Sequence, residues 1–333
     1  MAIKVGIPRA LLYYRLYPFW KTFFNSLGIE VVVSDKTTKK LLKEGLKYVP
    51  DEACLSIKVA FGHVKDLIGK VDYLFLPRLV SLERGTYICP KFIGFPDMIR
   101  SAFDNLPPVI DTSFNLRRRP SNLFLPMCRI GRIFKKSFLS IHQAYKKALE
   151  EESKYLSSLR KGNLLPEVLS SWEENPPPLL NTHLKSKSGG ELRIALVGHP
   201  YNLYDFFVNL NIIKKLENLG ARVITPEMVS PLAIKKETDK IPQEVYWSLG
   251  REIVGASFYL IESGSIDGLV HLGSFGCGPD SFLRELIADK IRKYPEIAYL
   301  SLILDEHSGE AGLVTRLEAF IDLIERRKAK VRS

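Results

Sequence analysis

The residues most suggestive of chemistry lie in Gly273-Ser274-Phe275-Gly276-Cys277-Gly278-Pro279-Asp280, where one cysteine sits in a glycine-rich turn. An apolar run, Ile266 to Leu272, leads into the turn, and a helical pattern leaves it. Glycines at 273, 276 and 278 let the backbone take left-handed angles and come close to whatever the sulfur holds. Packing alone would not ask for three glycines around a cysteine. The turn reads as one ligand of an iron–sulfur cluster whose other ligands come from elsewhere in the chain.

Three further cysteines stand at 54, 89 and 128. Cys54, in Asp51-Glu52-Ala53-Cys54-Leu55, falls at an expected helix start, where free N–H groups stabilise a thiolate and face a cluster's sulfides. Cys89 lies in Tyr87-Ile88-Cys89-Pro90, and a Cys-Pro step also ends the cysteine run of bacterial ferredoxins. Cys128, in Leu125-Pro126-Met127-Cys128-Arg129, sits in a basic segment with nothing to position it and reads as structural. No C-x-x-C occurs, which argues against a zinc ribbon or a thioredoxin-type motif. Three thiolates would leave one iron of a cubane open. They would also suit zinc if His63, His199 or His271 supplied a fourth ligand.

Two polar clusters follow strand signals. In Gly198-His199-Pro200-Tyr201-Asn202, with Asp205 beyond, His199 and Tyr201 could move protons, while helix capping explains Asn202 and Asp205 equally well. In Asp305-Glu306-His307-Ser308-Gly309-Glu310, Glu306 and His307 are the catalytic candidates. Neither a Walker A nor a GxGxxG pattern is present, so ATP or NAD binding by this chain alone is not expected.

The elements that must position these groups alternate strand and helix. Lys4 to Pro8, Ile29 to Ser34, Val71 to Val80 and Pro108 to Asp111 read as strands, with helices over 10–27, 37–46, 53–68 and 95–103. A single long charged helix is expected over 129–161, and Leu164 to Gly190 has linker composition. Strands at 192–197, 221–226, 266–272 and 297–305 then alternate with helices at 205–219, 243–263, 279–293 and 312–327. Alternation of this kind predicts two α/β domains with Rossmann-like parallel sheets. The expected boundaries are 1–125, a helix and linker over 126–190, and 191–333.

The halves repeat each other. Gly6-Ile7-Pro8 and Gly198-His199-Pro200 are each followed by a helix closed by a glycine, Gly28 or Gly220, 20 residues past the proline. Val71-Asp72-Tyr73-Leu74 then corresponds to Ile266-Asp267-Gly268-Leu269, and Cys89 and Cys277 each come after that third strand. The pattern points to internal duplication. Ligands of such sheets bind beyond the carboxyl ends of the strands, so two domains facing across a cleft would bring these sulfurs together.

Length and composition agree. The 333 residues suffice for two cores, with 46% apolar residues and mean hydropathy near zero. No apolar run approaches the roughly 20 residues of a membrane span, and the amino terminus lacks a signal-peptide layout; the expectation is a cytoplasmic protein with no membrane partner. Net charge is +11, partly concentrated in Arg117-Arg118-Arg119 and Arg129 to Lys136. No nucleic-acid motif accompanies it, so a solvated basic face or an anionic or acidic partner is expected rather than nucleic acid.

Several stretches together resemble a known family: GIPRALLYY (6–14), DEACLSIKV (51–59), GHV (62–64), LPRLVSLERGTYICPKFIGFPDM (76–98), GHPYNLYD (198–205), CGPDS (277–281) and DEHSGEAGLVTRLEAF (305–320). They are similar to acyl-CoA dehydratase activase-related proteins carrying the domain labelled DUF2229. That family is related to 2-hydroxyacyl-CoA dehydratase and benzoyl-CoA reductase subunits and to double-cubane cluster proteins. The resemblance implies an oxygen-sensitive iron–sulfur protein of an anaerobe holding a 4Fe-4S cluster on Cys54, Cys89 and Cys277. Cys128 lies outside the family motifs. An ATP-dependent activase with its own cluster would supply low-potential electrons for radical dehydration or reduction, with a CoA thioester as substrate. A second dehydratase-like subunit or a homodimer would complete the assembly. Two alternatives remain open: a non-enzymatic cluster carrier or scaffold, and a zinc-stabilised ligand-binding protein.

Overall fold

Strands buried on both faces of a parallel sheet read as nearly unbroken apolar runs, and the runs seen in the sequence form such sheets. The computed structural model describes residues 2–118, 123–173, 192–242 and 244–332. The chain separates into two units, Met1–Ser158 with Val245–Ser248, and Leu159–Glu244 with Leu249–Ser333.

The first unit runs β1 (Lys4–Ile7), α1 (Tyr13–Ser26), β2 (Glu30–Val33), α2 (Lys39–Leu46), α3 (Leu55–Leu67), β3 (Tyr73–Phe75), β4 (Arg78–Ser81), α4 (Pro90–Ala102), β5 (Val109–Ile110), β6 (Ser113–Asn115), α5 (Phe124–Ile133) and the start of α6 (Phe138–Arg160). Its parallel sheet has the order β2-β1-β3-β5, and β4 pairs with β6 beyond it. Helix α1 lays a sheet of aromatics on this core. The Trp20 and Phe24 rings meet Phe75 edge-on at 4.7 and 5.2 Å, a geometry aromatic quadrupoles favour.

The second unit runs α7 (Leu165–Leu169), β7 (Leu192–Gly198), α8 (Pro200–Leu203), α9 (Ile212–Asn218), β8 (Ala221–Ile224), α10 (Pro231–Thr238), α11 (Ser248–Glu262), β9 (Gly268–Ser274), α12 (Gly278–Ile291), β10 (Ala298–Leu304) and α13 (Glu310–Arg332). Its sheet, β8-β7-β9-β10, is parallel throughout. Strand for strand this is the order of the first sheet.

The likeness extends to single hydrogen bonds. The Lys4 N–H donates to Asp72 Oδ2 at 2.7 Å, and the Asp72 N–H returns to the Lys4 carbonyl at 3.0 Å. In the second unit the Arg193 N–H donates to Asp267 Oδ2 at 2.7 Å, and the Asp267 N–H returns to the Arg193 carbonyl at 2.8 Å. The aspartates paired in the sequence comparison thus clamp the first strand of each sheet in the same way.

Three expectations need correction. The single helix over 129–161 is two helices, because Lys135 takes a left-handed φ of 54° and the Lys136 N–H closes on the Gly131 carbonyl. That pattern of bonds ends a helix. The helix expected over 205–219 is reduced to α9, because Leu210 and Asn211 are left-handed, with φ of 53° and 56°. Most of the expected linker over 164–190 lies outside the described residues, and its described start is helical. Helix α10, to which the sequence reading assigned no element, is capped by Ser230, whose hydroxyl accepts the Ala233 N–H.

Helices α2 and α3 cross where Gly62 lets backbones touch; a Cβ there would overlap the Leu41 carbonyl. Backbone cannot swing aside as a side chain can. Gly62→Ala should therefore cost about 1–3 kcal/mol, seen as a lower urea midpoint with unchanged slope.

Candidate functional site

Each parallel sheet reverses the direction of its connections at one point, β1/β3 in the first unit and β7/β9 in the second. Such switch points leave a crevice beyond the carboxyl ends of the strands. The distinctive groups of each unit gather around that edge.

In the first unit Cys54 is the N-cap residue of α3 and Cys89 the N-cap residue of α4. The four N–H groups at a helix start lack intrahelical partners and carry partial positive charge. Burial pushes the Cys89 thiol up; the amides of Lys91 and Phe92 oppose that rise, and the charge of Cys54 adds to it. Cys54 is thus close enough for its charge to act on Cys89.

Local structure explains why Cys89 is held there. The Arg78 guanidinium donates to the Ile93 carbonyl at 2.7 Å and to both carboxylate oxygens of Asp97 at 2.6 and 2.9 Å. It thereby ties β4 to the first turns of α4. Behind Cys89, the Ile88 N–H donates to the Val80 carbonyl and the Tyr87 N–H to the Tyr246 carbonyl. The Thr86 and Ser248 hydroxyls meet at 2.6 Å.

An apolar cavity of about 60 Å³ opens at the β1/β3 switch point, lined by Ile7, Leu11, Trp20, Ala60, Phe75 and Phe92 among others. Ala60 belongs to the helix that Cys54 caps and Phe92 to the helix that Cys89 caps. Leu11 is held with φ of 54°, a conformation costing an L-residue about 1–2 kcal/mol.

In the second unit Cys277 is the N-cap residue of α12. The turn around it proves to be built for a second group as well. Of its three glycines, only Gly276 has a left-handed φ, 75°. Gly273 is needed for space, because a Cβ there would overlap the Asp280 carboxylate; Gly278 has open space around it. The expectation that all three serve the sulfur is thus corrected.

Asp280, at the third position of α12, is buried between two buried histidines. His271 Nε2 lies 3.2 Å and His199 Nε2 3.8 Å from the same carboxylate oxygen. Burial raises the Asp280 carboxyl, but the His271 hydrogen bond and the two histidines' charge outweigh it and leave the group below the ordinary range. Burial holds His199 below the ordinary histidine range, and its ring stacks on Tyr201 with centroids 5.0 Å apart. Among the described residues no hydrogen-bond partner meets His199 Nδ1 or His271 Nδ1. The Ser274 hydroxyl donates to Asn202 Oδ1 at 2.8 Å, which gives Asn202 a structural role in the same polar layer.

The sequence reading missed an acidic extension of this layer. The Tyr204 hydroxyl donates to Glu227 Oε2 at 2.6 Å. Burial, and then the charge of Glu252, push the Glu227 carboxyl up. Glu227 follows β8 at the sheet's carboxyl edge, a position that could have flagged it.

The other candidates are placed elsewhere. His63 is fully buried, with Ser34 Oγ 2.8 Å from Nδ1 and Thr37 Oγ1 2.9 Å from Nε2. Both nitrogens are thus engaged by hydroxyl groups. Asp205 caps a turn, accepting the Phe207 and Val208 N–H groups. Asp305 likewise accepts from Ser308 and the His307 N–H, and His307 is exposed. Cys128 is buried within α5, away from either end, and burial raises its thiol. Among the described residues, no three His, Cys, Asp or Glu side chains stand where they could together hold a metal ion.

Fold and site define an α/β protein of two like-ordered parallel-sheet units, with cysteines at the N-caps of three helices. Residues 4–229 match the model of the family described as CoA enzyme activase uncharacterised domain (DUF2229), and the chain belongs to that family. The match includes Cys54 and Cys89 and ends before β9, so His271, Cys277 and Asp280 lie beyond it. No curated protein matches the chain. No helix among the described residues is long and apolar enough to cross a membrane.

Two buried groups should respond to acid. His63 is lowered from 6.5 to about 3 by burial, then by Arg9, against a smaller opposing effect of Asp66. The unfolded chain therefore takes up this proton first as pH falls. Stability should decline below pH 6.5 by up to about 1.4 kcal/mol per unit, and His63→Gln should flatten that limb in urea titrations. Asp280 is depressed instead, so its contribution is present above the unfolded carboxyl value and lost in acid. Asp280→Ala should cost about 1–3 kcal/mol at neutral pH, a gap that narrows below about pH 4.

Proposed function

We propose that this protein is an iron–sulfur component of the CoA enzyme activase system, with Cys54, Cys89 and Cys277 as cluster ligands. The observation that carries the reading is the shared placement of these cysteines: each is the N-cap residue of a helix, and the charge of Cys54 acts on Cys89. Soft thiolate donors at the positive ends of helices suit the net negative charge of such a cluster. Cys128 has no comparable surroundings. The group these thiolates would hold is a 4Fe-4S cluster.

When bound, the cluster would supply one-electron chemistry for radical dehydration or reduction, the electron arriving from a separate ATP-dependent activase. The chain's own residues do the rest. Amides at the start of α4 oppose the rise that burial imposes on the Cys89 thiol. The apolar cavity offers room for a small apolar group, such as part of a CoA thioester, between the helices that Cys54 and Cys89 cap. In the second unit His199 and Asp280 can hold or release a proton in a layer shielded from water. Engagement of both His63 nitrogens supports iron over a zinc centre that uses this histidine.

Anaerobic purification followed by iron and acid-labile sulfide analysis and EPR after reduction tests the reading. Cys89→Ser and Cys277→Ala should each lower iron content severalfold, whereas Cys128→Ser should keep it. A protein that stays colourless and iron-free after anaerobic reconstitution, or that takes zinc at full occupancy instead, overturns it.

A further inference from the structure

We propose that the α5–α6 hairpin of the first unit is a docking surface for an acidic protein partner, with an apolar centre and a basic surround. Between Asp111 and Glu150 the chain carries nine lysines and arginines and no acidic residue, against a net charge of +11 for the whole protein. Almost all of the surplus charge belongs to this one stretch.

The structure shows how it is displayed. Leu125, Arg129, Arg132 and Ile133 recur at the spacing of one helix face, and all four are exposed, while Met127 and Ile130 on the opposite side are buried. Lys135 follows in the turn, and Phe138 and Leu139 open α6. Leu125 and Ile133 are 48% and 43% exposed, and Phe138 and Leu139 64% each. Four large apolar side chains facing water within 15 residues are far more than a solvated face requires.

The platform is rigid. A Cβ on Gly131 would overlap the Ile141 side chain, so the two helices are in close contact at their crossing. Phe124 packs edge-on against Phe138 at 5.5 Å and also meets Tyr145. Lys135 holds a left-handed position that ordinarily favours glycine, so a cation stands at the corner against the local backbone preference.

The cations are unmatched. Among the described residues Arg129, Arg132, Lys135, Lys136, Lys146 and Lys147 form no ion pair. Some cations elsewhere on the surface are paired, as in Lys47–Glu44, Lys70–Asp66 and Lys235–Asp239.

Charge complementarity sets the partner's sign, and the arrangement sets its class. A helix lying on a lipid surface segregates a broad apolar face from its cations, but here Arg129 and Arg132 share one stripe with Leu125 and Ile133. Nucleic acid is bound by phosphate contacts and by flat rings that stack on bases, whereas three of the four exposed apolar groups here are aliphatic. A protein interface has an apolar centre with a charged rim, and cations of this kind steer association. The inference does not depend on what the cysteines hold.

The test places a photo-crosslinking phenylalanine analogue at position 138 of the full chain, expressed in its own cells. The expected result is a protein adduct whose linked peptide lies in a surface rich in Asp and Glu. Adduct yield should fall at high salt and drop at least about fivefold in an Arg129→Glu, Arg132→Glu double variant. Lys135→Gly relieves the left-handed corner and should fold at least as well while still weakening the adduct. The same label at Leu232, more exposed but on α10, should not give it. An adduct with lipid or nucleic acid only, one indifferent to charge reversal, one on a surface without acidic surplus, or no adduct at all overturns the proposal.

Discussion

A parallel sheet imposes one constraint from which most of this protein's features follow. Every strand ends at the same edge, and the chain must run back through a helix before the next strand can begin. Each returning helix therefore starts near that edge, with its unpaired N–H groups and positive dipole end directed there. Cys54, Cys89 and Cys277 all cap such helices: α3 leads to β3, α4 to β5, and α12 to β10. The thiols are where they are because the connection rule puts helix starts there. The first unit adds the apolar cavity at its switch point, and the second the Asp280 layer.

The second unit shows how a buried charge is made tolerable. An isolated carboxylate deep in a protein would be neutralised. Asp280 stays ionised because it sits at the third position of a helix, where the dipole favours a negative charge, and because His271 and His199 face it. Gly273 supplies the space. A glycine-rich turn that first suggests room for a ligand on sulfur is, at its first glycine, room for a carboxylate instead.

The two units have taken the same frame in different chemical directions. Strand order and the Asp72 and Asp267 clamps are shared. At the switch point, however, one unit has an apolar cavity between cysteine-capped helices, and the other a packed polar layer with paired acids nearby. The family match covers residues 4–229, so the polar layer straddles its end, with His199, Tyr201 and Asn202 inside and His271 and Asp280 beyond.

Much of this was legible in the chain itself, for physical reasons that act locally. Unbroken β-branched runs marked the strands, a proline and a glycine at fixed spacing bracketed the first helical stretch of each half, and Cys54 was placed at a helix start; the start of α4 at Pro90, with Cys89 capping it, was not, since the helix was expected only from 95. Breaks at Lys135 and at Leu210-Asn211 escaped notice because left-handed residues other than glycine leave little compositional trace. Tertiary structure alone decided the partners. His63 is claimed by Ser34 and Thr37, and Asp280 by His199, which lies in a different strand-to-helix turn. Hydrogen bonding and burial depend on which distant segments the sheet order brings side by side. A sequence states its periodicities and its helix ends; the neighbours of a buried histidine are settled only when the strands have taken their places.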